Sequence, residues 1–231
     1  MVNARIIVAL DLPTSVAAMA MATQVGPHVA GFKIGLGLLH GPGPKLIEDL
    51  TDLGKPVFAD AKLHDIPSQV AAAARNLGDH GARWVTVHAG GGADMMAAAV
   101  AGLAETSPHS GVLAVTVLTS LEAGSLADVG IDATPQHLVA RMAKSAAAAG
   151  CEGIVSSPNE LSVVAASAPG LLRVTPGIRQ GESNDDQARV ATPAAAIAAG
   201  ADLLVVGRPI TQAPDPVAAA AEIAALSSSS P

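Results

Sequence analysis

Two aspartates, a lysine and a histidine fall within six positions in DAKLHD, residues 60–65, directly after the apolar run PVF and before Ile-Pro-Ser. Carboxylates this close to an ammonium can move a proton or hold a developing charge, or they can neutralise one another as a solvated surface pair. If residues 56–62, PVFADAK, form a strand, period-2 alternation sends Asp60 and Lys62 to one face and Ala59 and Ala61 to the other. Asp65 stands three residues beyond Lys62, past the strand end. The choice between chemistry and a harmless ion pair depends on where the fold puts that face.

Short β-branched or apolar runs recur along the chain: residues 6–11 (IIVALD), 31–35 (GFKIG), 56–62, 84–89 (WVTVHA) and 111–118 (GVLAVTVL), then GIVSS from 153, LLRVTPG from 171 and LLVVGRPI from 203. Ala/Leu-rich segments of helical length separate most of them. Thr134-Pro135 and Thr192-Pro193 read as an N-cap followed by a first-turn proline, and Gly150 and Gly200 as the residues just past a helix end. Eight strand–helix units about 29 residues apart predict a single-domain α/β protein, a (β/α)8 TIM barrel of nearly minimal length. A doubly wound sheet is the alternative. It normally has a glycine-rich turn after its first strand, and here IIVALD runs into LPTS. The domain is expected to span residues 1–226, with the Ser-rich 227–231 as a disordered tail and 120–134 as the longest active-side loop.

A barrel gathers its chemistry at the C-terminal ends of its strands. The expected strand ends are polar: Asp11, Lys33, Asp60 with Lys62, Thr119-Ser120, Pro176-Gly177-Ile178-Arg179, and Gly207-Arg208. The segments after strands 7 and 8 commonly hold phosphate, where Arg208 offers a bidentate fork and the backbone near Gly207 offers N–H donors. An array of Lys33, Asp60, Lys62 and Asp65 alternates in sign, so it escapes the several kcal/mol that an isolated charge out of water costs. A further carboxylate brought beside Asp60 would be repelled until it lost its charge. Such a network suits a reaction that expels CO2 and leaves a carbanion for an ammonium to stabilise and protonate.

The net charge of −7 and the near absence of aromatics argue against a nucleic-acid partner, which needs a basic face or stacking platforms. One cysteine, Cys151, permits no intrachain disulfide, and no apolar stretch reaches 18 uninterrupted residues. MVNAR leads straight into IIVALD without a signal-type segment, so a cytoplasmic setting with no membrane association is expected. His64 and His88 invite a metal, but the nearby aspartates already have lysine partners, so no metal is expected.

The run Asp60-Ala61-Lys62-Leu63-His64-Asp65-Ile66-Pro67 resembles the D-x-K-x-x-D-I-P motif of the orotidine 5′-monophosphate decarboxylase family, the last enzymes of pyrimidine nucleotide synthesis. The resemblance covers essentially the whole chain. VALD around Asp11, FKIG around Lys33, VTVLTS around Thr119, TPGIR around Arg179, DDQ at Gln187 and VGRPIT around Arg208 follow in the family's order. It implies a cofactor-free homodimeric barrel whose site is completed across the interface. Lys62 would protonate C6 after CO2 leaves, Asp60 would sit against the substrate carboxylate, and Lys33 would bridge the charged network and the ribose. Asp65 and Ile66 would reach into the neighbouring subunit's site. Asp11 would bind ribose hydroxyls and Thr119 the pyrimidine. Gln187 and Arg208 would grip the phosphate, and Arg179 and Gly207 would belong to the substrate-binding set. The polar loop 177–189, with Gly177 and Gly181 as hinges, is expected to fold over the phosphate as a lid.

One position departs from the family pattern: after Asp-Ile-Pro, a threonine usually stands where this chain has Gln69. Either Gln69 would then meet ribose or phosphate with a longer amide, or Ser68 would substitute, which affects affinity more than chemistry. The rival enzyme is a Mg2+-dependent sugar-phosphate decarboxylase or aldolase of the same superfamily, which needs a metal-binding acid that GFKIGLGLLHG lacks. The rival from another class is a catalytically inactive nucleotide-binding barrel, which would have no use for the charge array.

Overall fold

A computed structural model of the chain describes residues 5–119, 123–179 and 191–228. Eight parallel strands close into a barrel in sequence order: β1 (Ile6–Ala9), β2 (Gly31–Ile34), β3 (Val57–Leu63), β4 (Trp84–His88), β5 (Gly111–Val115), β6 (Gly153–Val155), β7 (Leu172–Thr175) and β8 (Leu203–Val206). β8 pairs back onto β1 through Ile7↔Val205, which removes both sheet edges. Every strand expected from the apolar runs is present, and the fold is the (β/α)8 barrel.

Strand alternation divides the apolar residues into two layers. Ile7, Ala9, Phe58, Trp84, Leu113, Val174 and Val205 fill the barrel interior. Their neighbours of opposite parity, among them Ile6, Val8, Phe32, Val57, Ala59, Val85 and Leu204, pack outward against the helices. The expected helix punctuation holds. Thr134 and Thr192 accept from the backbone N–H of His137 and Ala195, and Gly150 and Gly200 take the positive φ values of 81° and 102° that follow the helix ends.

The abundance of small residues serves close approach. The helices Pro67–Asp79 and Ala93–Thr106 approach backbone to backbone, such that a Cβ on Gly102 would lie 2.3 Å from the Ala71 carbonyl oxygen. Cys151 is buried, and burial pushes its thiol up to about 11, so it packs as a small hydrophobe. No described helix is long and apolar enough to cross a membrane.

Two boundaries differ from the sequence reading. The 120–134 connection contains a short helix, Ala123–Asp128. The last helix, Pro216–Ser228, runs beyond the expected domain end at 226. Ser227 is fully buried there because its hydroxyl donates to the Ala224 carbonyl at 2.8 Å, so a serine that reads as tail satisfies itself within the helix. Residues 229–231 of the expected tail lie outside the described residues.

The N-terminal end of the barrel is closed by an ion pair stacked on its only tryptophan. Arg83 forks onto Glu152 with contacts of 2.6 and 2.7 Å, its guanidinium carbon lies 4.6 Å from the Trp84 ring centroid, and Trp84 Nε1 donates to Glu152 at 3.2 Å. Gly111 leaves the space for this arrangement, since a Cβ there would come within 2.6 Å of Glu152 Cβ. Gly111→Ala is therefore expected to lower the unfolding free energy by about 1–3 kcal/mol in urea titration.

Candidate active site

At the C-terminal mouth the strand ends surround a cavity of about 520 Å³, a size suited to a small-molecule ligand. Its wall brings together Asp11, Lys33, Asp60, Lys62, Thr119, Arg179, Gly207 and Arg208 with the apolar side chains of Phe58, Val115, Val117, Val155 and Val205. Eight of the residues marked in the sequence thus converge although they are spread over nearly 200 positions. Barrel closure makes this possible, because each strand delivers its last inward-facing residue to the same rim.

The charges form a chain of contacts. Lys33 Nζ lies 2.9 Å from Asp11 Oδ1 and 3.6 Å from Asp60 Oδ2, and Lys62 Nζ donates to Asp60 Oδ2 at 2.6 Å. Within one chain the alternating array is therefore Asp11–Lys33–Asp60–Lys62. Asp65 is not a member of it. The loop beyond β3 turns Asp65 outward, where it is exposed and accepts from the Ile66 N–H at 2.6 Å, while Ile66 and Gln69 are exposed at the start of the helix that follows.

Asp60 and Lys33 are both buried, whereas the Asp11 side chain is 61% exposed. Burial by itself would raise the Asp60 carboxyl. The charges of Lys33 and Lys62, with hydrogen bonds from Lys62 and Thr86, outweigh it and hold the group below its ordinary value of 3.8. Asp60 is therefore a carboxylate at any working pH. Gly35, just after β2, keeps the neighbouring pair in place: a Cβ there would lie 2.9 Å from Asp11 Oδ1 and 3.2 Å from Lys33 Nζ.

Lys62 departs from simple strand geometry. Its φ of 48° makes it the one residue other than glycine with positive φ among the described residues. The β3–β4 ladder pairs Ala59 with Val85 and then Leu63 with Val87, so β3 advances four residues while β4 advances two. Alternation does name the right face for Asp60 and Lys62, but a bulge carries them there.

Near the expected phosphate end, Arg179 Nη1 donates to the Ile178 carbonyl at 2.8 Å, and Arg208 begins a short helix, Arg208–Thr211, capped by Gly207. Arg179 N–H donates to the Ala191 carbonyl at 2.9 Å and Ala191 N–H to Gly177 at 3.1 Å, so the two stems of the intervening segment meet beside the cavity. Gln187 and Gly181, with most of the expected lid, lie outside the described residues.

Sequence reasoning missed three polar groups. Thr86 is fully buried behind Asp60. Ser156 lines the cavity and Thr175 lies in β7, both buried and without a hydrogen-bond partner for their hydroxyl oxygens among the described residues. Thr86 shares strand parity with Trp84 and His88, which marks its face but not the residue it meets. His88 is half-buried with its ring centroid 5.5 Å from that of the exposed His64, and no group of three metal-ligating side chains occurs among the described residues.

A closed parallel barrel with paired charges and two arginines at its C-terminal mouth has the arrangement of a (β/α)8-barrel enzyme. The chain belongs to the orotidine 5′-phosphate decarboxylase / HUMPS family, whose sequence profile matches residues 4–223. It is 52% identical over 223 residues to an orotidine 5′-phosphate decarboxylase of Anaeromyxobacter dehalogenans, covering 96% of this chain and 97% of the relative. A protein of the same name from Pseudomonas aeruginosa is 46% identical over 222 residues, covering 95% and 96%. The crystal structure of orotidine 5′-phosphate decarboxylase from Lactobacillus acidophilus superposes with a TM-score of 0.87 at 35% identity, covering 97% of this chain and 99% of that one.

The His88 imidazole is pushed below its ordinary 6.5 by burial first, then by the charges of His64 and Lys62, with Asp60 opposing. As the pH falls through about 6.5 the unfolded chain takes up this proton before the folded one does, so acidification destabilises the fold. Between pH 7 and pH 5 the wild-type melting temperature should fall by more than that of His88→Gln, as read by thermal unfolding at each pH. Parallel curves would assign the acid sensitivity to other groups.

Proposed function

We propose that this chain converts orotidine 5′-monophosphate to uridine 5′-monophosphate and CO2 without a cofactor, with Asp60 as the charge that opposes the substrate carboxylate and Lys62 as the proton donor. The observation that carries the reading is the buried, ionised Asp60 held between Lys33 and Lys62. Near-complete matches to relatives that bear the decarboxylase name support the reaction itself.

The neighbouring ammoniums and the Thr86 hydroxyl favour the ionised form of Asp60, so protonation is a poor escape from repulsion. A substrate carboxylate brought against it is therefore destabilised in the ground state, and the strain ends when the C6–carboxylate bond breaks and the electron pair stays on C6. The Lys62 ammonium, already paired with Asp60 at 2.6 Å, is the adjacent cation that stabilises this pair and passes a proton from Nζ to C6. Lys62 then regains its proton from solvent.

The rest of the rim divides by chemistry. Asp11, bonded to Lys33, presents its exposed carboxylate to the ribose hydroxyls, and Thr119 faces the pyrimidine edge. Arg208 and Arg179, with the backbone at Gly207 and with Gln187, bind the phosphate dianion. The exposed stretch Asp65–Gln69 serves a second copy of the chain. An isoleucine that is 62% exposed, beside a carboxylate outside its own cavity, fits a homodimer in which Asp65, Ile66 and Gln69 complete the neighbouring site.

Loss of orotidine 5′-monophosphate absorbance should be fast and unchanged by EDTA in the wild type, and slower by on the order of 10³-fold or more in Lys62→Ala. Activity that EDTA abolishes would move the reading to metal-dependent sugar-phosphate chemistry, and an inert folded wild type would move it to a nucleotide-binding barrel. The shared site has its own test. Lys62→Ala and Asp65→Ala, each nearly inactive alone, should recover about a quarter of wild-type activity after mixing and exchange of subunits, because half of the chains pair as mixed dimers with one intact site each. No recovery from subunits that do exchange would confine Asp65 to its own chain.

A further inference from the structure

The hydroxyl of Thr86 is shared between the two groups that matter most at the mouth. Thr86 lies in the middle of β4, fully buried. Its Oγ1 accepts from the Lys62 backbone N–H at 2.9 Å and lies 2.9 Å from Asp60 Oδ1. An amide N–H can only donate, so the single hydroxyl proton is free for Asp60, which receives it as an ionised acceptor. One oxygen thus holds the orientation of the carboxylate and the backbone position of the lysine together.

The backbone it holds is an unusual one. Lys62 has a φ of 48°, in a region that side-chain-bearing residues occupy only when their surroundings enforce it. The β3–β4 ladder skips this stretch, resuming only at Leu63↔Val87, so the strand partner that would ordinarily fix Lys62 is a side chain. Threonine suits the task because branching at Cβ restricts χ1 in a strand, which keeps the hydroxyl on its two partners.

We infer that Thr86 is a positioning residue for decarboxylation: its hydroxyl clamps Lys62 in its left-handed conformation and aims Asp60, so that ammonium and carboxylate meet the reacting carbon in register. The inference rests on the decarboxylase reading above. It differs from a purely structural role in where the effect falls. Loss of the hydroxyl leaves the binding groups Asp11, Thr119, Arg179 and Arg208 in place, so it acts on turnover and spares affinity.

Thr86→Val keeps the shape and removes the hydroxyl. Its kcat is expected to fall about 10- to 100-fold with KM within about threefold, since an ångström of misplacement at a reacting group has an effect of that order. Thr86→Ser, which restores the hydroxyl, should recover kcat to within about threefold of wild type. Thr86→Cys, close to serine in size but a weak donor and acceptor, should remain about tenfold below Thr86→Ser, and it serves if the valine variant folds poorly. A crystal structure of the valine or cysteine variant should show Lys62 released from positive φ or Asp60 rotated. The clamp is overturned by an active wild type with equally active Val or Cys variants, by a serine variant as slow as valine, by a loss confined to KM, or by an unmoved Lys62 and Asp60. A wild type inert toward orotidine 5′-monophosphate would instead remove the decarboxylase reading, a failure visible before any variant is compared.

Discussion

Asp60 remains a carboxylate in a place with little water because an ammonium stands on either side of it and a hydroxyl donates to its second oxygen. Each partner comes from a different source in the barrel: Lys33 from β2, Lys62 from the bulged end of β3, and Thr86 from β4. Taking any one away leaves a buried charge short of a partner, which costs several kcal/mol and favours protonation. The network therefore presupposes a rigid frame that keeps three strands in fixed register. The closed sheet, with no free edge along which a strand could slip, is that frame.

The two ends of the barrel carry separate demands. At the N-terminal end Arg83, Glu152 and Trp84 satisfy one another and seal the interior, in a space kept open by Gly111. At the C-terminal end charges of alternating sign are gathered around a cavity, with Gly35 giving Asp11 and Lys33 room to pair. Strain is concentrated at the same end, at Lys62. This separation lets helix packing and barrel floor supply stability while the mouth holds groups in costly arrangements.

The polar loop after β3 divides the D-x-K-x-x-D-I-P run between the inside and the outside of the barrel. Asp60 and Lys62 face inward, yet Asp65 three residues on is exposed, because the chain has left the strand and Pro67 starts a helix on the outside of the barrel. Asp65 and Ile66 are both exposed and stand outside the lining of their own chain's cavity.

The periodic part of the protein was legible in its sequence. Eight apolar runs separated by Ala-rich segments, with Thr-Pro starts and glycine ends, define the strands and the barrel, since local propensity and capping are properties of neighbouring residues. Parity along 56–62 placed Asp60 and Lys62 on one face, and polarity at strand ends marked Asp11, Lys33, Arg179 and Arg208. What tertiary structure alone decided is register and local backbone. It set Thr86 opposite the bulge, turned Lys62 to positive φ and replaced Asp65 by Asp11 in the charge chain. Those outcomes depend on which residue of one strand lies beside which residue of the next, a relation between segments about 25 positions apart that no pattern within either segment contains.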